Sequence, residues 1–342
     1  MTAIRQSERA PRHAPPIAVL VVLALLLLAP MVILSFTAWH ANSSLWYLGM
    51  LPAVIGLFKS PRLGFAAAVL TPLLMGLSLL LRDFPIVGAL YMAALAVATG
   101  FSALRGWQLM LSFAAPLTSF ALIGDINVAL PSGTVAASSS VAAGLVLVGF
   151  ALAGGLWTAV LGQFVVRAIP MKPPKTFPLR TSAYFAAALG VLVGVSTFVA
   201  MTVLDSDSWW IILTFFVVVQ PLYSDATKRA ISRAVGTLVG ALVAVVIASV
   251  FQSSPGVITI VALVLTVAAA LANMKLPYWV FVIFLTPAVV LQTEGGSPAI
   301  DHAIFERAMY TLVGVAAAVV VLSIGHVFVT RRERDREDLV SS

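Results

Sequence analysis

Residues 208–246 read SWWIILTFFVVVQPLYSDATKRAISRAVGTLVGALVAVV. An aromatic-led apolar run stops at Gln220 and Pro221, a cationic turn with Lys228 and Arg229 follows, and a second apolar run opens at Arg233. Neither run alternates apolar with polar residues, so neither reads as a half-buried strand. Continuous apolar stretches on this scale read as membrane helices. The segment therefore predicts a short helix, a turn at a membrane face and a long returning helix.

The rest of the chain follows the same grammar. It is 61% hydrophobic and 10% charged, against about 25% charged in a soluble domain. We expect an all-α polytopic membrane protein of about twelve spans, at 17–39, 44–58, 63–81, 84–101, 107–124, 141–166, 182–204, 208–222, 232–251, 256–273, 276–292 and 304–329. With the N-terminus inside, 18 of the 20 Lys and Arg residues fall on cytoplasmic segments, leaving Arg82 and Arg307 outside. The positive-inside rule sets that orientation, with both termini cytoplasmic. Net charge of +7 then reflects cationic inner loops rather than nucleic-acid binding. The expected divisions are an N-terminal six-helix membrane repeat (1–169), a cytoplasmic linker (170–180), a C-terminal six-helix repeat (181–330) and a charged cytoplasmic tail (331–342).

The phrase RAVGTLVG (233–240) returns as RAMYTLVG (307–314). Each copy follows an aromatic leader, WWIILTFFVVVQP (209–221) or YWVFVIFLTPAVVLQ (278–292). Arg233 opens an outward-running span and Arg307 an inward-running one. Each six-helix repeat thus reads as two inverted three-helix units, the two repeats being parallel, with one arginine expected at each mouth. The middle span of every unit is short, starts near Trp46, Trp107, Trp210 or Trp279, and carries or ends on Pro52, Pro116, Pro221 or Pro287. These prolines are the expected helix breaks, because proline removes a backbone donor. Short interrupted spans at matching places point to a transporter's binding site.

Candidate binding and gating residues are Lys228, Arg229, Arg233, Gln220, Trp210, Trp279, Gln292 and Arg307. Arginines inside spans are costly and usually functional, with snorkelling to the interface as the alternative. Trp210, Tyr278 and Trp279 offer planar rings for stacking, with an interfacial aromatic belt as the alternative. Glu306, at the mouth of a span, and Asp205 are candidate proton carriers. Catalysis is not expected. There is no cysteine, no G-x-S-x-G or Walker sequence, and no metal ligand set beyond the Asp301–His302–Glu306 neighbourhood, so neither metal nor cofactor is expected.

The segment 208–246 resembles the integral-membrane domain of the fusaric acid resistance, or aromatic acid exporter, family. Trp210, Gln220, Pro221, Arg229, Arg233, Gly236, Thr237 and Gly240 match the family pattern, and ERAMYTLVG (306–314) looks like its closing helix. The resemblance spans about 180–330 and implies a bacterial inner-membrane exporter of aromatic or other organic acids. Expected partners are the lipid bilayer and a small organic-anion substrate, while a homo-oligomer and a periplasmic adaptor stay open. The large cytoplasmic domains of the bigger exporters have no counterpart here. A passive anion channel of the same fold and a non-transporting envelope scaffold are the alternatives.

Overall fold

The structure, a computed structural model, describes residues 17–34, 36–39, 42–126, 128–130, 135–136, 140–166, 175–252, 254–294 and 300–341. It is all-α over these residues apart from one small hairpin. The helices are α1 (Ile17–Leu34), α2 (Ser43–Leu57), α3 (Pro61–Leu80), α4 (Pro85–Ser102), α5 (Gln108–Ile123) and α6 (Val141–Val166). They continue as α7 (Leu179–Thr202), α8 (Trp209–Val218), α9 (Tyr223–Phe251), α10 (Pro255–Lys275), α11 (Tyr278–Glu294) and α12 (Ile300–Ser341). Between α5 and α6, β1 (Val128–Ala129) pairs antiparallel with β2 (Val135–Ala136). Buried Asn42 ties this hairpin to the start of α2, its Nδ2 donating to the Ala129 carbonyl at 2.6 Å and its Oδ1 accepting from the Ala129 amide at 3.1 Å. The linker 170–180 lies partly outside the described residues.

Among the described residues, α3, α4, α6, α7, α9 and α12 are long and apolar enough to cross a membrane. Their outward faces carry large aliphatic side chains one turn apart. Leu238, Leu242, Val246 and Val250 mark such a stripe on α9, and Val191 and Val195 one on α7. The inward faces carry Ala, Gly, Ser and Thr, as at Ala67, Ala68 and Thr71 of α3. Small residues let helix backbones approach where lipid tails supply no hydrophobic drive for association.

Two expectations need correction. Pro52, Pro116 and Pro287 do not break their helices: α2, α5 and α11 run through them. At Pro287 the reason is local. Proline withholds its N–H from the Ile283 carbonyl, and Gly240 of α9 closes over that carbonyl; a Cβ there would stand 3.0 Å from the oxygen. The break is real only near Pro221, where α8 already stops at Val218. At ten residues, α8 covers about 15 Å, half the hydrocarbon thickness of a bilayer, so 208–222 is not a span by itself. At the other extreme, α12 continues as one helix through the charged tail.

The packing order crosses between neighbouring three-helix groups. In the second half α9 packs on α11 and α12 packs on α8, while α8–α9 and α11–α12 meet far less; in the first half α3 packs on α5 and α2 on α6. Glycines make the crossings. Gly240 faces the Thr286 Cβ and the Ile283 carbonyl of α11, and Gly314 of α12 faces the Thr214 Cβ and the Ile211 carbonyl of α8. A Cβ at Gly240 would sit 2.7 Å from the Thr286 Cβ, and one at Gly314 would sit 2.9 Å from the Thr214 Cβ. Gly240→Ala and Gly314→Ala are therefore each expected to cost about 1–3 kcal/mol through overpacking. Thermal unfolding of detergent-purified protein measures this, with lipid-facing Leu242→Ala as the near-neutral comparison. Glycine variants as stable as that comparison would refute the tight crossing.

Candidate functional site

The crossing carries the two arginines of the repeated phrase toward each other. Arg233 is ten residues past the start of α9 and Arg307 seven past the start of α12, or about 15 and 10 Å along the two helix axes. They do not sit one at each mouth. They lie within each other's electrostatic reach and are 2% and 3% exposed. The helices begin before the expected spans 232–251 and 304–329, α9 nine residues earlier at Tyr223 and α12 four earlier at Ile300, so each arginine stands inside its helix and not at its start.

Each guanidinium is held by an aromatic from the helix its own helix crosses. The Arg307 Cζ lies 3.9 Å from the centre of the Trp210 ring on α8. The Trp209 ring centre is 3.8 Å from that of Trp210, and Phe120 meets Trp209 edge-on at 5.0 Å. Two groups this close to one ring must take opposite faces, so Trp210 has no face left for a substrate ring. On the other side Arg233 stands in electrostatic reach of the Tyr278 hydroxyl of α11. Arg229 lies 5.1 Å over the Tyr278 ring, a cation–π contact. Buried Tyr47 of α2 stands in the field of Arg307.

Neither buried arginine takes part in a salt bridge among the described residues. Arg233 Nε and Nη2, and Arg307 Nε and Nη1, have no hydrogen-bond partner there. One turn along each helix, on the same face, the Thr237 and Thr311 hydroxyls are equally buried and unpartnered, as is Thr286. Buried charges in folded proteins are paired. Two buried cations near each other, each with a buried hydroxyl one turn along its own helix, have the chemistry to receive an anion.

The remaining candidates divide. Lys228 is exposed at the start of α9. Gln220 Nε2 donates to the Val217 and Val219 carbonyls at 3.0 Å, closing the frayed end of α8. Trp279 points outward, 45% exposed, because consecutive helical residues diverge by about 100°; its neighbour Tyr278 reaches the site instead. Gln292 falls on α11 with its side chain outside the described residues. Asp205 caps a short 3-10 turn before α8, accepting from the Asp207 amide at 3.0 Å, and takes the Tyr310 hydroxyl at 2.5 Å. Glu306 pairs with His302 at 3.4 Å. Among the described residues no group of acidic, His or Cys side chains is placed to hold a metal.

Sequence reasoning passed over Thr311, Thr286, Tyr47 and Tyr310. The first had a signal: both copies of the phrase read Arg-x-x-x-Thr, which sets arginine and hydroxyl on one helix face. Tyr47 had none, since it meets the site only through the packing of α2 beside α11, where Val289 joins the Tyr47 cluster.

Residues 195–321 match the family model described as fusaric acid resistance protein-like. The matched segment contains Trp210, Arg233, Tyr278 and Arg307, and leaves Tyr47 outside. No curated protein and no solved structure matches the chain.

The Tyr310–Asp205 contact joins α12 to the turn before α8. Tyr310→Phe should lower stability by about 1.5–3 kcal/mol, the range for hydrogen bonds to charged groups. The loss should vanish in an Asp205→Ala background, as a double-mutant cycle of melting temperatures reads it. Additive effects would show that the contact carries no coupling.

Proposed function

We propose, from a chain that belongs to the fusaric acid resistance protein-like family through residues 195–321, a secondary transporter of the bacterial inner membrane. It exports organic acids, aromatic ones among them, at the expense of the proton gradient. One observation carries the reading: two buried guanidiniums, without counter-charge among the described residues, lie deep in the helix packing of the matched segment. A permanent structural pair of this kind would stand against both desolvation and mutual repulsion. A transient anionic occupant relieves both.

The flanking groups fit a path through that centre. Lys228, exposed, and Arg229, on Tyr278, gather anions at the inner mouth. At the outer side Asp205 with Tyr310, and Glu306 with His302, are the groups we assign to proton coupling. The reciprocal contacts Gly240–Thr286 and Gly314–Thr214 support reading α7–α9 and α10–α12 as inverted units. Alternating access is then a rocking of one unit against the other around the arginine pair. The termini are cytoplasmic, and the chain performs no chemistry on its substrate.

Arg233→Gln and Arg307→Gln should each abolish efflux of hydroxybenzoate-like acids from cells that still insert the protein. A protonophore should do the same to the unmodified protein. Efflux at the normal rate from either variant sinks the assignment. Passive current in a planar bilayer, indifferent to a pH gradient, would make the protein a channel. Liposomes that move no solute would make it a scaffold.

A further inference from the structure

The arginine pair also has a valence. The two guanidiniums are each almost wholly enclosed, on helices that pack against each other, and stand in each other's field. No described carboxylate is bonded to either. A singly charged occupant would leave one buried cation uncompensated, the arrangement that low-dielectric interiors avoid most strongly. Both guanidiniums have open donors. Arg233 leaves Nε and Nη2, the edge that receives a carboxylate through two parallel hydrogen bonds, while Arg307 leaves Nε and Nη1, which diverge around Cδ and can each donate one bond. Thr237 stands one turn from the first guanidinium and Thr311 one turn from the second, both hydroxyls open. The aromatic next to Arg307 gives no ring platform, since Trp210 is already enclosed by Arg307 and Trp209. Recognition in this centre therefore goes by charge rather than by stacking.

We propose that the site takes a doubly charged organic anion, a dicarboxylate with one carboxylate on Arg233 and Thr237 and the other on Arg307 and Thr311. The proposal rests on the transport reading above and adds to it the charge of the substrate.

The test uses the full chain in detergent or nanodiscs at pH 7 and fixed ionic strength. Thermal stabilisation is titrated with benzoate, which carries one charge, and with isophthalate and succinate, which carry two. Isophthalate and succinate should half-saturate at concentrations about tenfold or more below benzoate, a factor set by the second charge contact. In Arg233→Gln or Arg307→Gln the preference should shrink to about twofold or less while benzoate still binds, because one cation remains. The titration of the unmodified protein decides the matter even if a variant fails to fold. Benzoate and isophthalate saturating together would overturn the valence and leave the transport reading standing. Stabilisation by none of the three, with no efflux of any of them, would overturn both.

Discussion

Two guanidiniums enclosed near each other, without a described carboxylate bonded to either, are the constraint around which the matched segment of this protein is arranged. Arginine cannot discard its charge as a buried lysine can, so the surroundings must accommodate it. They do so with aromatic faces and one phenol: Trp210 under Arg307, and the Tyr278 hydroxyl in reach of Arg233. These contacts soften the cost of burial without cancelling either charge. A carboxylate built into the same place would have closed the pair as a buried ion pair.

Holding the pair together requires the helices to cross. Were α9 packed on α8 and α12 on α11, each arginine would face its own leader, and the two would lie in separate units. Packing α9 on α11 and α12 on α8 brings both to one space. Gly240 and Gly314 permit this because each meets a threonine Cβ and a backbone carbonyl where no side chain fits. The rest of the repeated phrase follows from the same geometry. Its glycines make the approach, its valines and leucines face outward, and its arginine and threonine share the inner face.

Much of this was legible beforehand, for identifiable reasons. The all-α architecture and the order of the helices followed from apolar run length; α6 begins and ends where its apolar run does, while α9 and α12 extend beyond theirs. The arginines stood out because charges within apolar runs are rare here. Their meeting was not legible, since it depends on which helices pack together and periodicity carries no such information. The prolines misled for a related reason. A proline marks a missing donor, but whether the helix breaks is decided by what covers the orphaned carbonyl, and at Ile283 that is a glycine 43 residues away in sequence. Tyr278 and Trp279 show the finest limit: adjacent aromatics look interchangeable in a string, yet one enters the site and the other faces outward.

Nearly all of the ten residues of α8 are buried, so it has no lipid face and behaves as an internal post rather than a wall. A helix that ends within a membrane exposes carbonyls that lipid cannot satisfy, and such ends survive only where protein or water satisfies them. Gln220 does this for Val217 and Val219, and Asp205 orders the turn at the opposite end while holding Tyr310 of α12. The post is thus capped at one end and tied to α12 at the other, and between them it presents Trp210 to Arg307 and Thr214 to Gly314. Movement of α12 relative to α8 would therefore have to release the Tyr310–Asp205 bond and the Arg307–Trp210 contact together. That links a carboxylate near one end of α8 to the buried guanidinium of Arg307 through a single short helix.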